Sequence, residues 1–150
     1  MKFDNIKIFA IGSKTDNTFK TGVIVAAYAG KELFKEKMLI HEAQDCTSKA
    51  QSDLLAVLKA LQCVRPEYRN LPTRVYLGQN TAYFALERDN GQWVDKPKAN
   101  ADIVAAARKV FATYANATIH KFVAMAPEYK RLNEIMRPAD GMERDQAVRD

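Results

Sequence analysis

Apolar positions along this chain alternate between a strand-like period of two and a helix-like period near 3.6, and the changes mark out its elements. Ile6-Lys7-Ile8-Phe9-Ala10-Ile11 is rich in β-branched residues and closes at Gly12-Ser13, which predicts a strand buried on both faces. Polar residues Lys14 to Thr18 form a turn, Thr21 to Tyr28 a second strand, Ala29-Gly30-Lys31 a tight turn, and Leu33 to His41 a third strand. Connections this short make the three antiparallel neighbours. Ser48 followed by Gln51 fits a capping box, and Leu54, Leu55, Val57, Leu58 and Leu61 then recur on one helical face.

Pro66 and Pro72 bracket a polar loop before Arg74-Val75-Tyr76-Leu77-Gly78, a short apolar strand whose helical flanks set it parallel to the first. A short helix from about Thr81 to Leu86 leads to the turn signal Asp89-Asn90-Gly91 and an exposed run from Trp93 to Asn100. Asn100 or Asp102 can cap a helix carrying Ile103, Val104, Ala107, Val110, Phe111 and Tyr114. Thr118 to Met125 is the fifth strand, and Pro127 opens a last helix with Tyr129, Leu132, Ile135 and Met136 on its apolar face. The order is three strands, helix, strand, helical segments, strand, helix. One domain over residues 1–137 and a polar, mobile tail over 138–150 are expected.

Composition adds bounds. At 150 residues with 47% apolar and 27% charged, the chain has material for one core. No stretch reaches the roughly 18 apolar residues of a membrane span, and Met1-Lys2-Phe3-Asp4 lacks the features of a signal peptide, so a cytoplasmic, reducing setting is expected. Cys46 and Cys63 have no ligand-like spacing and are read as buried free thiols. The net charge of +5 is uneven: Pro138 to Asp150 carry −2, leaving +7 on the rest, which is compatible with a polyanion partner and equally with a solvated basic surface.

The order of elements and five short motifs in it resemble the type I ribonuclease H family. Ile8-Phe9-Ala10-Ile11-Gly12-Ser13 is similar to that family's first strand ending in Asp-Gly-Ser, and Gln51-Ser52-Asp53-Leu54 to its helical Arg-Met-Glu-Leu. Leu77-Gly78-Gln79-Asn80-Thr81-Ala82-Tyr83 is similar to the strand end Ser-Thr-Asp-Ser-x-Tyr. Pro97-Lys98-Ala99-Asn100-Ala101-Asp102 resembles Pro-x-Lys-Asn-x-Asp with its lysine displaced, and Ala126-Pro127-Glu128-Tyr129-Lys130-Arg131-Leu132-Asn133-Glu134 resembles His-Pro-Glu-Asn-Glu-Arg-Cys-Asp-Glu. The resemblance implies an α/β ribonuclease H-like fold, a five-stranded mixed sheet of order βββαβαβα flanked by helices.

It also implies a two-metal site that the residues do not supply. Two divalent ions bring roughly four positive charges to a spot about 4 Å across, which clustered carboxylates must offset. The four acid positions here are Ile11, Asp53, Asn80 and Asn133, so Asp53 is the one remaining metal candidate. The family's loop histidine would fall at Val123 to Met125, where there is none, and His41 and His120 read as structural or surface residues. Asp4, Asp16 and Glu134 are not expected to converge on Asp53.

Losing carboxylates also removes repulsion toward phosphate, so binding without cleavage is the expected function, with no cofactor. RNA or an RNA–DNA duplex is the expected partner, held by Ser48, Lys49, Gln51, Asn80 and Thr81 at one end of the sheet. Lys96 and Lys98 beside Trp93 could add a basic and aromatic contact, although Trp93 is equally suited to covering the core edge. The paired asparagines that grip the minor groove in the family are Lys49 and Ala50 here, and the segment from Tyr83 to Pro97 is too short for the extra basic helix of some members. Two other readings are a protein-interaction scaffold, using an apolar patch around Tyr28, Leu33 and Phe34, and a ribonuclease with a shifted site requiring magnesium or manganese.

Overall fold

The computed structural model describes residues 2–15, 18–78, 80–94, 99–122 and 126–136. Strands β1 (Asn5–Thr15), β2 (Thr18–Ala29) and β3 (Glu32–Glu42) are followed by α1 (Lys49–Cys63), β4 (Thr73–Leu77) and α2 (Asn80–Leu86). A two-stranded ribbon, β5 (Arg88–Asp89) with β6 (Gln92–Trp93), precedes α3 (Ala101–Phe111), β7 (Ala117–Lys121) and α4 (Pro127–Met136). The five longer strands form one mixed sheet of order β3-β2-β1-β4-β7, with β1 antiparallel to β2 and parallel to β4. The parallel crossover expected between the first and fourth strands is present.

Central β1 is covered on both faces, which is why its sequence runs apolar without strict alternation. Ile6, Ile8 and Ala10 face α1 and α3, packing with Leu54, Val57, Leu61, Val104 and Phe111. Phe9 and Ile11 face the other way, into a smaller cluster with Ile24, Leu132 and Met136 under α4. Each buried side chain of this size contributes roughly 1.5–3 kcal/mol, so the α1 side dominates the stability of the fold.

Several local expectations need correction. The first hairpin does not open at Lys14: pairing continues to Thr15 opposite Thr18. The fifth strand is described over Ala117–Lys121, and residues 123–125 lie outside the described residues, as do Arg137, the tail, Lys96 and Lys98. Asn100 occupies the cap position of α3 in the left-handed region (φ 56°) and makes no side-chain cap bond, and Asp102 lies in the first turn. The Asn90-Gly91 turn closes the small ribbon with φ of 53° and 78°, the geometry a two-residue hairpin needs.

One irregularity in β3 matters below. Ala27 pairs with Lys35 but Tyr28 pairs with Leu33, so Phe34 is an extra residue in the ladder, a β-bulge.

Candidate functional site

The carboxyl ends of β1 and β4 and the amino ends of α1 and α2 meet at one end of the sheet, the usual place for a ligand crevice in α/β folds. The cap of α1 is built as expected from Ser48, whose Oγ accepts the Gln51 N–H at 3.1 Å. The return bond differs by one residue: Gln51 Oε1 accepts the backbone N–H of Thr47 at 2.8 Å, and the Thr47 hydroxyl at 3.2 Å. Both side chains expected to hold phosphate are thus engaged by the helix terminus itself.

Asp53 lies one turn inside α1 and is 1% exposed. Its Oδ1 accepts the Gly12 backbone N–H at 2.6 Å and its Oδ2 pairs with Lys49 Nζ at 3.3 Å. The carboxylate therefore ties the end of β1 to α1, and its charge is offset by a lysine of its own helix. Gly12 permits the approach: a Cβ there would fall on Ser52 Oγ and the Asp53 backbone nitrogen.

Ile11, where the resemblance would put the first acid, is 4% exposed and belongs to the apolar cluster under α4. Phe122 and Tyr129 pack against that cluster from outside. Gly78, just beyond β4, makes room for it, since a Cβ there would fall on Ile11 Cγ2. Asn133 is half-buried on α4. Asn80 begins α2, but its side chain lies outside the described residues, and Thr81 beside it is exposed.

The metal pair implied by the ribonuclease H resemblance does not fit this donor set. Ile11 offers no oxygen, Asp53 is buried with both oxygens engaged, and Asn133 supplies only a neutral amide. Among the described residues no three His, Cys, Asp or Glu side chains are grouped to share a metal ion.

Trp93 is half-buried and packs against the α1-side core, 6.3 Å from the Phe111 ring, with the Arg88 and Arg108 guanidinium groups 5.1 and 4.8 Å from its own. These contacts are those of a core-edge residue. His41 is exposed, and His120 is half-buried beside Tyr76, with burial and then Arg74 holding its imidazole below the usual range. Sequence reading missed a group near the crevice: Lys121, at the end of β7, lies 5.2 Å from the Tyr83 ring and 5.4 Å from that of Phe84, which is exposed. The pairing of β4 with β7, together with the packing of α2 on β7, brings these residues together.

No protein-family model matches the chain, and no curated protein matches it. Among solved structures it is similar to the N-terminal RNase H domain of a Mycobacterium tuberculosis protein, solved as a fusion with maltose binding protein. That likeness has a TM-score of 0.62 at 13% identity and covers 97% of both chains. It is also similar to RNase H1 from the halophilic archaeon Halobacterium salinarum NRC-1, with a TM-score of 0.61 at 15% identity over 90% of this chain and 99% of that one. The fold is ribonuclease H-like, a five-stranded mixed sheet flanked by helices. No helix among the described residues is long and apolar enough to cross a membrane.

Proposed function

We propose that this domain binds nucleic acid, RNA or an RNA–DNA duplex, at the crevice and does not cleave it. The observation that carries the reading is the state of the two positions that would begin a metal site. Ile11 is packed into apolar side chains, and the charge of Asp53 is turned inward to Gly12 and Lys49. A crevice without a cluster of acids does not repel phosphate, and the RNase H likeness supports a surface shaped for a duplex. Thr81, Asn80, Lys96 and Lys98 are the candidate contacts, joined by Lys121 and the exposed ring of Phe84.

The test is fluorescence anisotropy with a labelled RNA–DNA hybrid in EDTA at low salt. Binding that weakens with added salt, and weakens further in a Lys96→Glu, Lys98→Glu variant, is expected. Incubation with the hybrid in magnesium or manganese should leave it intact. Cleavage that disappears in an Asp53→Asn variant would instead establish the nuclease alternative. A lack of affinity at low salt would turn attention to the scaffold reading, for whose expected patch Leu33 and Phe34 are exposed and Tyr28 is half-buried.

A further inference from the structure

At the opposite end of α1 from the crevice, about 20 Å away along a fifteen-residue helix, lies a half-open cavity of about 580 Å³. Its walls combine three aromatic rings, Phe3, Phe34 and Tyr68, with four cations, Lys2, Lys35, Lys37 and Arg65. Among the described residues no acidic side chain lines it. Phe3 stands between the other two rings, 5.7 Å from Phe34 and 5.0 Å from Tyr68. The four cations form no ion pair among the described residues.

The bulge accounts for the composition of the wall. In a regular ladder Lys35 and Lys37 would face one side of the sheet and Phe34 the other. With Phe34 as the extra residue, it joins both lysines along the cavity, where it remains 47% exposed. Glu36 faces away, and its carboxylate is held by Arg131 of α4 at 2.6 and 2.8 Å. The carbonyls at the end of α1 that would add negative potential are partly engaged, Leu61 by the Tyr114 hydroxyl and Val64 by Arg69 Nε.

The positive surface continues around the sheet end. A second cavity, of about 550 Å³ on the other face, is lined by Lys7, Lys31, Arg74 and Tyr28. Between the two lies Asp4, whose carboxylate is occupied by the Asn5 amide and the Gly30 N–H.

We infer that this end of the domain is a binding site for single-stranded nucleic acid, separate from the crevice. One unstacked base enters the cavity against Phe34 and Phe3, and Lys2, Lys35, Lys37 and Arg65 hold the flanking phosphates. Rings that accept any base face beside cations that track a backbone are the elements of such recognition. A duplex keeps its bases stacked and offers none to the cavity.

The experiment uses the full chain and an oligothymidylate of about ten nucleotides carrying 5-iodouracil, in EDTA. Anisotropy should give strand affinity reduced about tenfold by Phe34→Ala, and at least that much by Lys35→Glu with Lys37→Glu. These side chains are exposed, so circular dichroism and thermal melting should match the unsubstituted protein. Photocross-links mapped by mass spectrometry should fall on the peptides holding Phe3, Phe34 or Tyr68. Cross-links confined to other peptides, affinity indifferent to both variants, or adenosine monophosphate binding as tightly as the strand would each overturn the proposal. The Lys96→Glu, Lys98→Glu variant should lose hybrid binding while keeping the cross-link near Phe34. If hybrid binding fails and the cross-link stays, the crevice reading falls and this one stands.

Discussion

Ile11 is an apolar side chain sealed beneath α4. Placing an acid at this position by Ile11→Asp would put a carboxylate among Phe9, Ile24, Leu132 and Met136. Burial of a charge among apolar side chains should lower the unfolding free energy by about 3–5 kcal/mol. Urea titration checks this, and added manganese should recover none of the loss, because the remaining acid is engaged elsewhere. The glycines make a second comparison. Gly12→Ala forces a methyl onto the backbone of α1, which cannot yield, whereas Gly22→Ala meets side-chain ends, the flexible Met136 at 2.7 and 2.8 Å and Leu132 Cδ2 at 3.1 Å. The first should cost about 3 kcal/mol and the second less than about 1 kcal/mol, with equilibrium unfolding of the two variants as the measure.

Among the elements, α4 depends most on a polar tie. Only Leu132 and Met136 of this helix are buried, and the two-pronged bond from Arg131 to Glu36 fastens it to the edge strand β3. The hydrogen bond from Arg131 holds the Glu36 carboxyl below the usual glutamate range. Its folded value is depressed, so the stability it contributes is complete above the unfolded glutamate value and is lost as pH falls through the folded one. Both side chains are partly open to water, which keeps the contribution to about 1 kcal/mol or less. Glu36→Gln should therefore destabilise the protein near pH 7 and match it near pH 3, as read from melting temperatures across that range.

What was legible at this scale follows from burial. β1, β2, α1 and α3 have apolar positions repeated often enough to define a period, and all four were placed correctly in order and type. The ribbon β5–β6 has two residues per strand and so no period to read, although its Asn-Gly turn was visible. The bulge at Phe34 is a change of register by one residue, which no pattern of apolar positions reveals. Of the candidate site, Ile11, Asp53, Asn80 and Asn133 are picked out by motif resemblance alone. That Ser48 and Gln51 would be used by the cap, or that Lys121 would cover Tyr83 and Phe84, depended on contacts between elements.

For the whole molecule the question is whether +5 acts as a diffuse charge or through one patch. Seven cations line the two cavities at the far end of the sheet, while Pro138 to Asp150 carry a net −2. If about four phosphates are neutralised by the lysines and arginine around the aromatic cavity, log affinity for a single strand should fall with log salt at a slope of about −3. A chain ending at Arg137 sheds negative charge and keeps every described residue that lines the cavity, and at low salt it should bind the strand about twofold to fivefold more tightly. That gain should vanish near 0.5 M salt, roughly, where screening confines electrostatics to a few ångströms, while the loss caused by Phe34→Ala persists because stacking is not screened. Anisotropy titrations of the three proteins at the two salts separate the cases. A Phe34→Ala effect that fades with salt as the tail effect does would reduce the cavity to one part of a general basic surface.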